Sequence, residues 1–208
     1  MSFLSRLAVA AAIGVAACSP GEPAAGAPAA QRAPDSGRRE VAVFAGGCFW
    51  SAESNFEHMP GVVSAISGFA GGTVANPSYE QVVRGGTGHV EAVQVIYDPA
   101  RISYRQLVDR FWRTIDPTDP NGQFCDQGPS YATAVFATPI QRPIAEASRA
   151  AAVAVIGRRR FVTPVRTAAR FWPAEAYHQD FARLNPVRYA GYSRFCGRDA
   201  RLRAVWGR

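Results

Sequence analysis

Apolar residues recur along this chain with two periods, and the changes from one to the other mark out its elements. VAVF at 41–44 is a short apolar run closed by glycines and reads as a buried strand. Phe49, Ala52, Phe56 and Met59 then return at helical spacing until Pro60-Gly61 stops the run. VVSAISGFAGG predicts a strand running into a glycine-rich loop through NPSYE. HVEAVQVIYD, 89–98, is the clearest strand: Val93, Val95 and Tyr97 alternate with Val90, Ala92, Gln94 and Ile96, and Glu91 has the parity of the first set. Ser103 and Gln106 read as a capping box before a helix with Tyr104, Leu107, Val108, Phe111, Trp112 and Ile115 at core spacing. DPTDPNG is a turn, QFCDQGPS a polar loop and YATAVFAT a strand. PIAEASRAAAVAVIG, opened by Pro143 and closed by Gly157, predicts a helix, and Pro173 is expected to open another through AEAYHQDFARLN, ended by Asn185-Pro186. Together these elements imply an α+β sandwich whose sheet order the pattern does not fix.

The two ends read differently from the middle. Residues 1–17, MSFLSRLAVAAAIGVAA, carry Arg6 and then an apolar run too short to span a bilayer, which is the layout of an export signal. The run ends in VAAC, which resembles the lipobox of bacterial lipoproteins, where the chain is cut before a cysteine that becomes lipidated. Cys18 is therefore the expected lipid-modified residue of an exported, membrane-anchored lipoprotein facing the periplasm, with no other route into the membrane. Residues 18–39 are rich in Pro, Ala and Gly and read as a tether. The folded domain is expected over 40–190, and 191–208, with Cys196 near Gly191 and Gly197, as a mobile C-terminal tail.

Composition narrows the class. A length of 208 residues allows one substantial domain plus tails, and 48% hydrophobic with 19% charged residues is a soluble globular balance. All 23 basic residues are arginine, scattered apart from the pair Arg38-Arg39 and the run Arg158, Arg159 and Arg160, so the net charge of +7 predicts a solvated face and no nucleic-acid partner. With Cys18 set aside, Cys48, Cys125 and Cys196 remain. An odd number in an exported chain leaves one thiol outside any pairing, which points to a reactive cysteine. Three dispersed cysteines without a CxxC make a poor zinc site.

Cys48 lies in AGGCFWSAE, at the expected strand-to-helix junction. The unpaired N–H groups there are expected to favour its thiolate, and the glycines to let another molecule approach the sulfur. Glu91, sharing a face with apolar side chains, loses hydration, so its pKa should rise; it is a candidate general acid, or else a strand-end glutamate reaching water. His89, His178, Trp112, Trp172 and Trp206 read first as structural.

GCFWSAE (47–53), GFAGGTVANPSYEQV (68–82), GTGHVEAVQVIYDP (86–99), DPTDPNGQFCDQGPSYATAVF (116–136) and FWPAEAYHQDF (171–181) closely resemble the peptide methionine sulfoxide reductase A family, in order through most of residues 41–188. The resemblance implies a two-layer α/β sandwich of the ferredoxin-like roll type and reduction of the S epimer of methionine sulfoxide, free or in peptides and proteins. It makes Cys48 the nucleophile and Glu91 the acid that protonates the sulfoxide oxygen, with Tyr79 and Tyr131 hydrogen-bonded to that oxygen. Asp126 matches a residue at the polar end of the site, and Phe49 and Trp50 the pocket for the substrate methyl. Cys48 would pass through a sulfenic acid, resolved by Cys196 as an intramolecular disulfide; Cys125 reads more as a small residue of the site wall than as an alternative resolving thiol. Cys196 departs from the family's GYC spacing, and Asp126 stands where many members carry asparagine. No bound cofactor or metal is implied, only an external thiol reductant, thioredoxin or thioredoxin-like, serving a monomer that repairs oxidised exported proteins. The competing readings are a thiol peroxidase and a tethered binding module.

Overall fold

The computed structural model describes residues 37–207, so the signal, most of the tether and Cys18 lie outside the described residues. Its elements are β1 (Glu40–Gly46), α1 (Phe49–Glu57), β2 (Val62–Ala70), α2 (Tyr79–Arg84), β3 (Val90–Tyr97), α3 (Tyr104–Trp112), β4 (Gly122–Gln123) and β5 (Asp126–Gln127). They continue with β6 (Thr133–Ala137), α4 (Arg142–Ile156), β7 (Val165–Thr167), β8 (Phe171–Pro173), α5 (Phe181–Leu184), α6 (Pro186–Phe195) and α7 (Arg198–Trp206). Six strands form one sheet in the order β7-β6-β1-β3-β2-β8, antiparallel except for the parallel pair β6–β7, while β4 and β5 pair with each other. This is the expected α+β architecture. Among the described residues no helix is long and apolar enough to cross a membrane.

The alternation in β3 decides where the core lies. Val93, Val95 and Tyr97 are fully buried and join Phe44, Phe49, Phe56, Leu107, Val108 and Phe111 in one cluster. Val90 and Ala92 point to a smaller cluster with Ala45, Ala70, Ala134 and Phe136 on the other face. α3 is fixed at its start by the Ser103–Gln106 capping box and along its length by five buried side chains. Each large apolar side chain so buried is worth roughly 1.5–3 kcal/mol, more than the intrinsic helix preference of nine residues can supply. α4 ends at Gly157, which adopts φ +95°.

Two expectations are corrected. Pro173 does not open a helix: Phe171–Pro173 pair with Gly68–Ala70 as an edge strand, and Gln179 hydrogen-bonds both the amide and the carbonyl of Ser67. These contacts outweigh the helical pattern of 174–180; the expected stop at Asn185-Pro186 holds, since α5 ends at Leu184 with Asn185 as its C-cap, and Pro186 then opens α6. The tail is not a loose segment either. α6 and α7 fill residues 186–206, with Trp206 buried in the main core and its indole N–H donating to Ile115 O at 3.0 Å. Arg201 pairs with Asp116 at 2.6 Å, and Cys196 is tied to Cys125. A burial pattern with few large apolar residues hid these anchors.

Candidate active site

Cys48 is the N-cap of α1, directly after β1. Gly47 turns the chain there at φ +77°, and a Cβ on it would lie 2.4 Å from Cβ of Gln123. The glycines therefore admit the chain's own Gln123, and Gly46 admits Phe111 and Ile115; the expectation that they open space for substrate is corrected. Gln123 is fully buried and holds Asp116 through two bonds, N–H of Asp116 to Oε1 at 2.8 Å and Nε2 to Asp116 O at 2.7 Å. It thereby fixes the segment carrying Cys125 and Asp126 beneath the start of α1.

Glu91 is 1% exposed, and its Oε2 accepts the Phe49 amide of the first turn of α1 at 2.8 Å. Burial, partly opposed by that amide, pushes its pKa up to about 8, so it is protonated at neutral pH. The parity reading, not the strand-end alternative, describes this residue. Cys48 is 6% exposed. Burial first, then the nearby Glu91, push its thiol up to about 12, against hydrogen bonds from Tyr192 and the Trp50 amide. The expected ionisation of Cys48 by the helix start is thus overridden here: losing hydration costs a thiolate more than one helix end returns.

Around this pair the fold gathers most of the residues singled out from the sequence. Tyr79 and Tyr131 interact with each other, both are raised first by burial, and both feel Glu91. Trp50 stacks on Phe181 at 3.7 Å between ring centres, and Phe49 lies within 5.8–6.5 Å of Phe69, Tyr79 and Trp50. Asp126, its pKa raised by burial, accepts the hydroxyl of Tyr192. Glu53 is buried on α1 and faces the Asp180 amide; burial raises it to about 7, and it touches none of these groups. A groove of about 1070 Å³ behind α1 is lined by Glu53, Glu57 and Asp180, and Cys48 does not reach it.

The cysteines pair differently from expectation. Cys125 and Cys196 are joined as a disulfide, with Cα atoms 4.8 Å apart, and Cys48 is the free thiol. Cys125 is therefore not a mere filler of the site wall, and the link expected between Cys48 and Cys196 is absent in this redox state. The odd-cysteine argument holds as far as the described residues go: two are paired and one is left. Asp126 lies beside the pair, but sulfurs bonded to each other offer an ion no thiolate.

Sequence reading missed Tyr192 and took His178 as structural. Tyr192 stands one helical turn before Cys196, so any approach of Cys196 to Cys48 brings it along; that i, i+4 spacing was the available signal. His178 touches Phe49, Trp50 and Tyr79 with its ring. His89, by contrast, does what the plainer reading gave it: it ties Gly72 N and Val74 O in the β2–α2 loop.

The arrangement holds a thiol, a neutral carboxylic acid, two phenols and an aromatic wall within one buried site, a set suited to donating a proton to an oxygen while sulfur is attacked. Comparison with known proteins gives concordant findings. The family model for peptide methionine sulfoxide reductase matches residues 40–208. The protein named peptide methionine sulfoxide reductase MsrA 2 of Caulobacter vibrioides is 51% identical over 170 residues, covering 82% of this chain and 87% of its own. Mxr1 of Saccharomyces cerevisiae in its reduced form superposes with TM-score 0.67 at 30% identity, covering 73% of this chain and 88% of that one. Mxr1 in complex with Trx2 superposes at 0.50 and 21% identity over 71% and 88%, a likeness of fold alone.

Proposed function

Because the chain belongs to the peptide methionine sulfoxide reductase family, we propose that the Cys48 site reduces the S epimer of methionine sulfoxide, free or in peptides and proteins. The observation that carries this reading is Glu91, buried, neutral at pH 7 and bonded to the turn that bears Cys48. A sulfoxide sulfur is a poor electrophile until its oxygen is protonated or strongly hydrogen-bonded. Glu91 supplies the proton, and the hydroxyls of Tyr79 and Tyr131 supply the donors. Phe49 and Trp50 take the methyl group, which fixes the sulfur toward Cys48. With Glu91 neutral, the charge that most opposes a thiolate is removed, and the Trp50 amide remains to hold it. Sulfur attacks sulfur; the sulfoxide is reduced by two electrons to methionine, its oxygen stays on Cys48 as sulfenic acid with the proton from Glu91, and the proton lost by the Cys48 thiol restores the Glu91 acid.

Regeneration then uses both other cysteines. The Cys196 thiol attacks the sulfenic sulfur, releasing water and forming a Cys48–Cys196 bond. The Cys125 thiolate attacks Cys196, frees Cys48 and leaves the Cys125–Cys196 pair. A dithiol reductant of the thioredoxin class reduces that pair through the exposed Cys125. We read Cys18 as the lipid anchor of an exported monomer; palmitate incorporation lost in Cys18→Ala is its test.

Incubation with each epimer of a methionine-sulfoxide peptide and dithiothreitol tests the reaction. Turnover of the S epimer alone, abolished by Cys48→Ser, is expected; equal use of both epimers, or activity surviving the substitution, would sink it. Mass analysis after one turnover should find the Cys125–Cys196 link in the parent chain and Cys48–Cys196 accumulating in Cys125→Ser.

A further inference from the structure

His178 is 2% exposed and enclosed by rings: Tyr177 at 4.2 Å, Tyr79 at 4.5 Å, Phe49 at 4.9 Å and Trp50 at 5.8 Å between centres. The Trp50 indole N–H donates to its Nδ1 at 3.1 Å. An indole nitrogen is a donor and nothing else, so Nδ1 must be an acceptor and the ring proton must sit on Nε2. Nε2 is buried without a hydrogen-bond partner and lies 4.0 Å from Oε2 of Glu175, which is likewise buried and unpartnered. The other oxygen of Glu175 accepts the Tyr79 amide at 2.9 Å. One carboxylate thus faces His178 on one side and holds the first residue of α2 on the other. Through these two residues the aromatic wall (Trp50) and a sulfoxide-binding hydroxyl (Tyr79) share a single support.

We infer that His178 is a positioning residue for substrate binding: in its neutral, Nε2-protonated form it holds the Trp50 indole in place, with Glu175 facing its Nε2 and holding the Tyr79 backbone. The inference rests on the reductase reading given above. A protonated His178 carries N–H at both nitrogens, so Nδ1 would oppose the indole N–H and Trp50 would lose its seat. The charged groups that face His178 are Glu175 from its own turn and Glu80 from α2; both favour the proton, the Tyr79 and Tyr177 rings pack on it, and α1 presents Phe49 and Trp50, which do not ionise. Burial outweighs the two carboxylates and holds the imidazole below its ordinary range, so the seat is intact at neutral pH and loosens on the acid side. Trp50 touches substrate before and during reaction alike, so its loosening raises KM and leaves kcat nearly unchanged.

Steady-state kinetics on the full chain with dithiothreitol and the S-epimer peptide test this, together with ¹⁵N spectra of the histidine rings. Losing the acceptor in His178→Leu should raise KM about fivefold to tenfold at pH 7.5, the usual effect of one buried hydrogen bond, with kcat within about twofold. His178→Asn puts an amide oxygen near Nδ1; KM should return to within about twofold of the parent, and the acid-side rise of KM expected in the parent should vanish. The parent ring should give the signature of a bare Nδ1 and a protonated Nε2. An unchanged KM in His178→Leu, an acid rise that persists in His178→Asn, or a proton on Nδ1 would each overturn the proposal. If His178→Leu does not fold, His178→Asn and the spectrum decide. Absence of turnover in the parent would count against the reductase reading, whereas the tautomer is read without any turnover.

Discussion

Glu91 and the Phe49 amide that it accepts are 42 positions apart, and their bond couples the acid to the nucleophile's own turn. Its sequence context, odd parity on a strand beside Val93, Val95 and Tyr97, foretold burial and a raised pKa. What parity left open was whether the strand end reached water, since that depends on α1 closing over it. Glu91→Gln keeps an acceptor for Phe49 and a donor for the substrate oxygen, so partial activity is expected, against a far larger loss in Glu91→Ala; identical losses in a peptide assay would argue against donation. The pH dependence follows in sign: the acid form prevails below about 8, so kcat/KM should fall as pH rises through that value. The same shift bears on stability. The folded state keeps its proton to about pH 8 and the unfolded chain loses it near the ordinary value of 4.5, so this contribution is fully present below 4.5 and is lost as pH rises through 8. Urea unfolding should find Glu91→Gln more stable than the parent at pH 9, on the order of a few kcal/mol, and little different at pH 4.

At the scale of elements, α6 decides what state the site is in. None of its residues is buried, yet it delivers the Tyr192 hydroxyl to Cys48 and Asp126 and ends at the bonded Cys196. The closed disulfide fixes the C-terminal end of this helix, and opening it is expected to free that end and uncover the sulfur. Cys48 should therefore react with iodoacetamide at least about tenfold faster in Cys125→Ser than in the disulfide form, because the thiolate that reacts is both more exposed and less desolvated. Equal rates, read by mass spectrometry of the Cys48 peptide, would mean that Tyr192 stays in place without the bond. Helical spacing was weak in this segment, so neither α6 nor the departure of 174–180 from a helix was legible: the first is held by a disulfide and aromatic contacts, the second by Gln179 binding the β2 backbone. α3 and α4 were legible because caps, proline, glycine and an apolar stripe agree within each.

For the whole molecule, the C-terminal residues close the fold. Trp206 inserts into the main core, Arg113 lies 4.2 Å over its ring, and the Cys125–Cys196 bond spans 71 positions. Trp206→Ala should cost about 3 kcal/mol in urea unfolding, the usual scale for emptying an aromatic site in a core. Reducing the disulfide should cost up to about 4 kcal/mol on the loop-entropy account, since it frees a long stretch of the unfolded chain.

The chain's local chemistry was written in its order: strand parity made Glu91 an acid candidate, the glycine-ended strand put Cys48 at a helix start, and the cysteine count predicted one unpaired thiol. These follow from periods and counts, which neighbours in sequence carry by themselves. Tertiary structure alone decided that Gln123 fills the space left by Gly47, that the tail folds into two helices, and that Cys125 is the partner of Cys196. It also decided the ionisation of Cys48. A helix start favours a thiolate locally, but the hydration lost on burial is set by everything packed around the sulfur, and Glu91, Asp126 and Tyr192 come to it from distant stretches of the chain.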